Sequence, residues 1–454
     1  MIMHRRFCFN SSILAPTLTF LFLFGLMSNE ACARQLPSFS FKHYTAYSPS
    51  QSSFISQISR LNLTYTYASE YLDLTISPDL DIDYTNGTQA SFTPTEYYAD
   101  LYFTHADVKL GRQSFSWGAS PLQSVNNFLT PVTLTEFLLP DAEDLPDARL
   151  AASVILYRGA SYLQLIYAPR SRATELPDIQ SVWFPTQNVP DFVELNFEPE
   201  TIPALFSSHQ VALRYAYRET PGLELDLMAY YWSQPNAVPG IYITPGDIIT
   251  PPVLTLRQQS ASSFMGGTTL SWQTHRWIFR NEWLWIPDQR VHQFNVPVST
   301  LRDFTVNPQS NLALLNEFEL RDDGYLVRKS SISSVIGAEH ARWGSTIGLE
   351  FRLRYLHGIT ETILAEAFTA AISGYFERSF VNDRLQLLVL STYQTAGKDL
   401  WNRLEVDYSA SDIIQFGAGA NFFSGPEPKP LFSEVTFQTF RKNSSIYLKF
   451  TLNL

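Results

Sequence analysis

The sequence predicts an all-β protein, a single transmembrane antiparallel β-barrel of about 16 to 18 strands with long loops at its extracellular end. Three observations predict this fold. Apolar and polar residues alternate along many long segments, no apolar run after residue 33 is long enough for a helical membrane span, and no Gly/Ser-rich or Pro-rich linker divides the chain. Aromatic residues also make up 14% of the sequence, as expected of barrels with aromatic girdles at both membrane interfaces.

The first 33 residues have the pattern of an export signal. Arg5 and Arg6 precede the apolar run 13–27, and residues 31–33, Ala-Cys-Ala, form a small-residue cleavage site. An uncleaved membrane anchor is the alternative, but the run is shorter than the ~20 residues of a spanning helix and contains Pro16. We therefore expect a cleaved signal peptide, residues 1–33, and one barrel domain, residues 34–454.

Composition excludes several classes of site and partner. Both cysteines, Cys8 and Cys32, lie in the predicted signal peptide, so the mature chain has no disulfide, thiolate metal site or cysteine nucleophile. Removing Arg5, Arg6 and Glu30 with the signal peptide changes the net charge from −11 to −12. An acidic chain is a poor partner for nucleic acid. No sequence motif suggests a metal ion or a cofactor.

Alternation with a period of two gives the strands. In residues 210–218, Val211, Leu213 and Tyr215 alternate with Gln210 and Arg214, and similar patterns cover residues 72–84, 223–231, 347–355 and 446–454. Each pattern predicts a strand with one apolar and one polar face. Runs of about nine to thirteen residues suit a tilted membrane crossing, which needs ~9–11, whereas soluble strands average ~5–6. We place the first strand at residues 39–48, treat residues 425–442 as mostly loop, and let the last strand reach the chain end.

Connections alternate between short and long, as in barrels whose short turns face the periplasm. Tight turns are predicted near Ser69, His105, Gly159, Gly222, His275, Ala341, Asn382 and Ser409. Long loops are predicted at residues 119–147, 171–207, 234–259 and 287–324. With both termini in the periplasm the strand number is even, and the sequence does not decide between 16 and 18. This topology predicts a bacterial outer-membrane location.

One stretch resembles a known group of proteins. The pattern Gly111-Arg112-Gln113-x-x-x-Trp117-Gly118, followed by a loop with Pro131 and a new strand at residue 149, resembles a porin-like family of Gram-negative outer-membrane barrels of mostly unassigned function. In that family the loop often carries Asn-Pro-x-Asp, whereas residues 130–133 here are Thr-Pro-Val-Thr and lack the carboxylate. The resemblance implies the barrel fold more than a particular function.

The same stretch suggests how the loop 119–147 is held. A bulge near Gly111 would turn both Arg112 and Gln113 toward the lumen, where Arg112 would anchor an inward-folded loop through a carboxylate. The candidate partners are Asp141, Glu143 and Asp144. The alternative is that Arg112 only lines a wet barrel wall.

Further charged residues fall on the polar faces of predicted strands and complete the candidate pore lining. They are Arg214, Arg218, Glu224, Asp226, Glu350, Arg352 and Arg354. Facing groups of opposite charge would produce a transverse field that orients polar solutes. Loops 119–147 and 171–207 carry eleven acidic residues and a single Arg, so an acidic mouth that favours cations is one hypothesis, and binding of divalent ions that bridge lipopolysaccharide is the other.

The predicted function follows from this lining. We expect a channel for passive or weakly selective diffusion of small hydrophilic solutes, not an enzyme, because no catalytic motif occurs in the sequence. The alternative is a non-conducting surface barrel whose loops bind a ligand or partner. Outer-membrane lipid and lipopolysaccharide are the expected surroundings, and a homo-oligomer is compatible with the sequence.

Overall fold

The computed structural model describes residues 37–85, 87–137, 139, 141, 144–184, 189, 193–235, 238–246, 251–306, 318–427 and 435–454. The predicted signal peptide, residues 1–33, lies outside the described residues, as does the candidate residue Glu143. None of the helices among these residues is long and apolar enough to cross a membrane.

The described residues are mostly strand. The strands are β1 (Ser38–Ser48), β2 (Ser53–Ala68), β3 (Leu72–Asp83), β4 (Gln89–Phe103), β5 (Ala106–Gln113), β6 (Arg149–Arg158), β7 (Ser161–Ala168), β8 (Glu194–Glu198), β9 (Gln210–Tyr217), β10 (Leu223–Ser233), β11 (Gly240–Thr244), β12 (Val253–Arg257), β13 (Ser262–Thr274), β14 (Trp277–His292), β15 (Leu326–Arg342), β16 (Ser345–Leu356), β17 (Phe368–Phe380), β18 (Leu385–Gln394), β19 (Asp399–Ser409), β20 (Ile414–Ser424) and β21 (Ser445–Asn453).

Eighteen of these strands form one closed antiparallel barrel, which confirms the predicted fold class and selects 18 from the expected range. Strand β1 pairs with β2 on one side and with β21 on the other, where Lys42 lies opposite Thr451. A closed ring leaves no unpaired edge, the condition that a sheet must meet to cross a bilayer.

The two faces of the barrel wall differ as predicted. On β9, the outward-facing Val211, Leu213 and Tyr215 are 38%, 40% and 44% exposed, whereas the inward-facing Gln210 and Ala212 are fully buried. The exposed apolar side chains form a band that faces lipid. Burial of the inward-facing side chains on this strand means that another part of the chain lies inside the barrel.

The predicted tight turns are confirmed, and they fall at one end of the barrel. At two of them glycine supplies a left-handed backbone, with φ of +63° at Gly159 and +76° at Gly222, a conformation that glycine adopts without a steric penalty. The long connections fall at the other end, which in outer-membrane barrels is extracellular.

The long connections contain regular structure that the alternation pattern did not predict. Strands β8, β11 and β12 form a separate three-stranded sheet in which β12 is antiparallel to β11 and parallel to β8. A helix, α1 (Val298–Val306), and a 3-10 helix, Phe437–Asn443, lie in two further loops. Elements of five to nine residues are too short for the periodicity of their apolar residues to stand out from the surrounding loop sequence.

The bulge predicted near Gly111 is wrong. The register of β5 with β4 and with β6 runs through this residue without a shift. Gly111 instead has φ of +138°, and a Cβ at this position would lie 2.2 Å from the Tyr97 carbonyl oxygen. Glycine is therefore required here because the neighbouring backbone lies where any side chain would be.

Candidate functional site

The described residues of the segment 114–148, which follows β5, enter the barrel; this segment is called the inner loop. Its first anchor is Trp117, which is 3% exposed and packs against Tyr230 with ring centroids 5.7 Å apart. The Trp117 indole N–H donates a hydrogen bond to Gln164 Oε1 at 3.1 Å. Gly118 follows because a Cβ there would lie 1.8 Å from Ser124 Oγ. The Trp-Gly pair thus starts the inward turn of the inner loop.

A buried glutamate on the barrel wall holds the next part of the inner loop. Glu282 on β14 is 0% exposed, and its carboxylate accepts hydrogen bonds from four backbone N–H groups and one hydroxyl of the inner loop. The donors are the N–H groups of Ala119 (2.7 Å), Ser120 (2.6 Å), Val125 (3.0 Å) and Asn126 (3.2 Å) and the hydroxyl of Ser124 (2.8 Å). Hydrogen bonds to an ionised acceptor are about twice as strong as neutral ones, so Glu282 is a strong anchor.

Neighbouring strands add bonds to the same part of the inner loop. Glu350 on β16 accepts a hydrogen bond from the backbone N–H of Gln123 at 2.9 Å. The Asn126 amide donates to the carbonyl oxygens of Thr268 (3.0 Å) and Trp283 (3.2 Å) on β13 and β14. The predicted site residue Glu350 therefore faces the lumen, where it binds the inner loop.

The later part of the inner loop is bound to the opposite side of the barrel by ion pairs. Asp141 lies 2.8 Å from Arg403 Nη2 on β19 and 3.2 Å from Lys449 Nζ on β21. Asp144 lies 3.0 Å from Lys42 Nζ on β1 and 3.6 Å from Arg60 Nη1 on β2. The inner loop therefore crosses the full width of the lumen.

Arg112 forms an ion pair with the inner loop, but through a carboxylate that was not among its predicted partners. Without a bulge, Arg112 shares the outward face of Leu110 and only Gln113 is on the inward face, so the prediction that both turn toward the lumen is wrong. Arg112 Nη2 lies 2.6 Å from Asp147, which also lies 2.5 Å from Arg172. Burial raises the pKa of Asp147, and the two guanidinium groups act in the opposite direction. Gln113 is buried and donates to the Ala151 carbonyl at 3.1 Å. Asp147 lies two residues before β6, which pairs with β5. It is therefore nearer to Arg112 than Asp141 or Asp144 are.

Aromatic side chains cover the inner loop on the side of β19–β21. Phe137 stacks on Phe440 with centroids 4.2 Å apart and lies 6.3 Å from Trp183, which is 2% exposed. Trp183 belongs to the predicted loop 171–207, so that loop also packs toward the lumen at this point. This group, Phe137, Trp183, Phe423, Phe437 and Phe440, is called the aromatic cluster.

The predicted charges on β9 and β10 form a group of their own on the wall. Arg218 lies 2.8 Å from Asp226 and 3.7 Å from Glu224. Arg214 donates to the Tyr162 hydroxyl at 2.5 Å and lies 3.9 Å from Asp226. Asp226 is buried, whereas the Glu224 side chain is 58% exposed. These four residues thus form one group on the wall, and the acidic residues of the inner loop do not belong to it.

Carboxylates predominate on one side of the lumen wall. Inward-facing carboxylates occupy β3 to β5, whereas the inward faces of β14 to β16 carry both signs, with Arg280, Arg352 and Arg354 beside Glu282, Glu339 and Glu350. In the ring of eighteen, β16 is the ninth strand after β4, so these two arcs lie opposite each other. Among the described residues Arg352 has no salt-bridge partner within 4.0 Å. The carboxylates of the acidic arc are Asp73, Asp79, Asp81, Asp83, Glu96, Asp100 and Asp107.

A polar cavity of about 240 Å³ lies between the start of the inner loop and the wall of β4–β9. Asp100, Tyr102, Asp107, Lys109 and Arg214 are among the residues that line it. Tyr102 and Asp107 come within two residues of the tight turn between β4 and β5, so the cavity lies toward the short-turn end.

Two predictions about this region need correction. Among the described residues of the inner loop, Asp141, Asp144 and Asp147 do not contribute to an acidic mouth, because they are paired with basic residues inside the barrel. The most heavily bonded anchor, Glu282, was not among the predicted site residues. A signal for it exists in the sequence, since it is a single carboxylate at an inward position of an otherwise aromatic and apolar segment, residues 282–286.

Comparisons with known proteins bear on the fold. No family model matches the chain, and no curated protein matches it. Among solved structures it is similar to OccK3 (OpdO) of Pseudomonas aeruginosa, with a TM-score of 0.50, 9% identity and coverage of 92% of this chain and 95% of that one. It is also similar to OpdK of P. aeruginosa, solved with vanillate (TM-score 0.49, 9% identity, coverage 92% and 98%), and to OccAB1 of Acinetobacter baumannii (0.49, 7%, 92% and 95%). The chain therefore has the fold of the Occ/Opd outer-membrane porins.

Proposed function

We propose that the protein is an outer-membrane channel through which small hydrophilic solutes diffuse past the constriction made by the inner loop. The observation that carries this proposal is the way the inner loop is held, by polar bonds and ion pairs from strands on both sides of the lumen. A loop bound in this way narrows a water-filled passage while keeping its walls polar.

The acidic arc gives the channel a basis for selectivity. Carboxylates of the acidic arc face Arg352 and Arg354 across the lumen, so a polar solute would pass through a transverse field. Because Asp141, Asp144 and Asp147 are paired with basic residues, a preference for cations would come from the acidic arc. We expect this preference to be modest, since the wall carries both signs of charge.

A non-conducting surface barrel remains the alternative, and the aromatic cluster favours it. Phe137, Trp183 and Phe440 pack closely where the inner loop meets loop 171–207. If this packing seals the lumen, the long loops would serve to bind a ligand.

Swelling of protein-loaded liposomes separates the two functions. Liposomes containing the purified protein are diluted into isosmotic solutions of an uncharged pentose, lysine or glutamate, and the swelling rate is followed by light scattering. We expect swelling with the pentose and faster swelling with lysine than with glutamate. Rates equal to those of protein-free liposomes for all three solutes would refute the channel and support the surface barrel.

A further inference from the structure

The outer wall carries two arginines directly opposite each other near the long-loop end. Arg290 on β14 and Arg328 on β15 are register partners, so like charges face each other across two strands. Like charges directly opposite each other are destabilising, and an anion bound between them would offset the repulsion. Among the described residues neither guanidinium has a salt-bridge partner within 4.0 Å. Asp288, two residues from Arg290 in the chain, does not pair with it either.

Both side chains lie on the outward face of the wall, because Arg290 shares the face of its register partner Arg328. On β15, Ile332 and Ile336 point outward and are 43% and 55% exposed, and Arg328 has the same parity. Four residues separate Arg328 from Ile332, about 13 Å along a strand. Arg328 therefore lies above the apolar band, at the height where the polar groups of the outer leaflet begin.

An apolar groove lies on the same face, below the two arginines. It has a volume of about 460 Å³ and is lined by Leu227, Gly266, Thr268, Trp283, Trp285 and Ile332, among others. The groove exists because Gly266 has no side chain and its register partner on β10, Ala229, has a small one, whereas its partner on β14 is Trp285. Trp285 also marks the membrane interface, since its indole N–H donates to Ser330 Oγ at 3.2 Å.

We infer that this surface is a binding site for an acylated, phosphorylated lipid of the outer leaflet, the lipid anchor of lipopolysaccharide. A phosphate group bridges Arg290 and Arg328, and one acyl chain lies in the groove beside Gly266. Charge complementarity assigns the phosphate, because two unpaired guanidinium groups form charge-assisted hydrogen bonds with phosphate oxygens. The inference does not depend on conduction through the lumen.

Native mass spectrometry of the purified, delipidated protein tests the site with bis-phosphorylated lipid A as the probe. We expect one lipid A molecule per wild-type barrel and affinity lower by roughly tenfold per lost guanidinium in the Arg290→Gln/Arg328→Gln variant. Arg378→Gln is the matched control, because Arg378 is an exposed arginine on the outer face near the short-turn end. Folded electrophoretic mobility of each variant shows that the barrel is intact.

A second variant tests the groove independently of charge. Gly266→Leu fills the groove, and the wall tolerates it because a Cβ at this position meets only Trp285, at 4.0 Å. We expect this variant to bind lipid A more weakly than wild type does. Dephosphorylated lipid A should bind the wild type as weakly as lipid A binds the Arg290→Gln/Arg328→Gln variant. Equal affinities of wild type and the double variant, or equal losses in Arg378→Gln, would overturn the inference. Displacement of lipid A by equimolar inorganic phosphate would overturn the lipid assignment in favour of a free anion.

Discussion

Glu282→Gln is expected to release the first half of the inner loop from the barrel wall. The glutamine carbonyl can take the place of Oε1 and keep the bonds to Ala119 and Ser120, but its NH2 group then faces the N–H groups of Val125 and Asn126. Two hydrogen bonds to a charged acceptor are lost, each contributing ~1.5 kcal/mol at the low end of the usual range. The free energy of docking should fall by about 3 kcal/mol, roughly a 150-fold change in the docking equilibrium.

Hydrogen–deuterium exchange measures this docking directly. The amide protons of residues 119–126 should exchange slowly in the wild type and much faster in Glu282→Gln, while the barrel strands keep their protection. The control is Glu377→Gln, the same substitution at an inward position of β17 where the carboxylate is exposed. Unchanged exchange at residues 119–126 in Glu282→Gln would refute the assignment of this carboxylate as the anchor.

Three further predictions follow from the inner loop and its surroundings. Gly111→Ala should lower the free energy of unfolding in urea by more than ~1 kcal/mol, because its Cβ would lie 2.2 Å from the Tyr97 carbonyl oxygen; an unchanged urea midpoint would contradict this. Asn126→Cys with Gly267→Cys should form a disulfide under mild oxidation, because a Cβ at Gly267 would lie 2.4 Å from Asn126 Oδ1; free reaction of both thiols with a bulky maleimide in the folded barrel would place the inner loop elsewhere. Burial raises the pKa of Glu136 to about 7, so its protonated form is favoured on folding, and that stability is present below its ordinary pKa of about 4.5 and lost as pH rises through 7. The wild type should therefore lose more unfolding free energy than Glu136→Gln between pH 5 and pH 8, and parallel losses would show that Glu136 does not contribute.

The wall of the barrel could be predicted from the sequence because each strand encodes its own two faces. The alternation of Val211, Leu213 and Tyr215 with Gln210 and Arg214 is a local pattern. In the structure the first three side chains face outward, as this pattern predicts. Strand number depends on the same local signals, and residues 425–442, which the sequence analysis treats as mostly loop, contain part of a 3-10 helix, Phe437–Asn443, and no barrel strand among their described residues.

The interior could be predicted only in part, because its contacts join residues far apart in the chain. Arg112 was identified as an anchor, yet its partner Asp147 is 35 residues away and was indistinguishable by sequence from Asp141 and Asp144. Glu282 contacts residues about 160 positions earlier, and nothing local marks those backbone donors. Neutralisation of Asp141 and Asp144 by basic residues of distant strands depends on the same kind of long-range pairing.

Single-channel recording in planar bilayers tests the central claim, that solutes pass a constriction made by the inner loop, most directly. The purified protein is inserted under a salt gradient, and the conductance steps and reversal potential of wild type are compared with those of Glu282→Gln. The account predicts discrete steps with a modestly cation-selective reversal potential in the wild type and larger or noisier steps in the variant. Correctly inserted barrels that stay silent in both forms would contradict it.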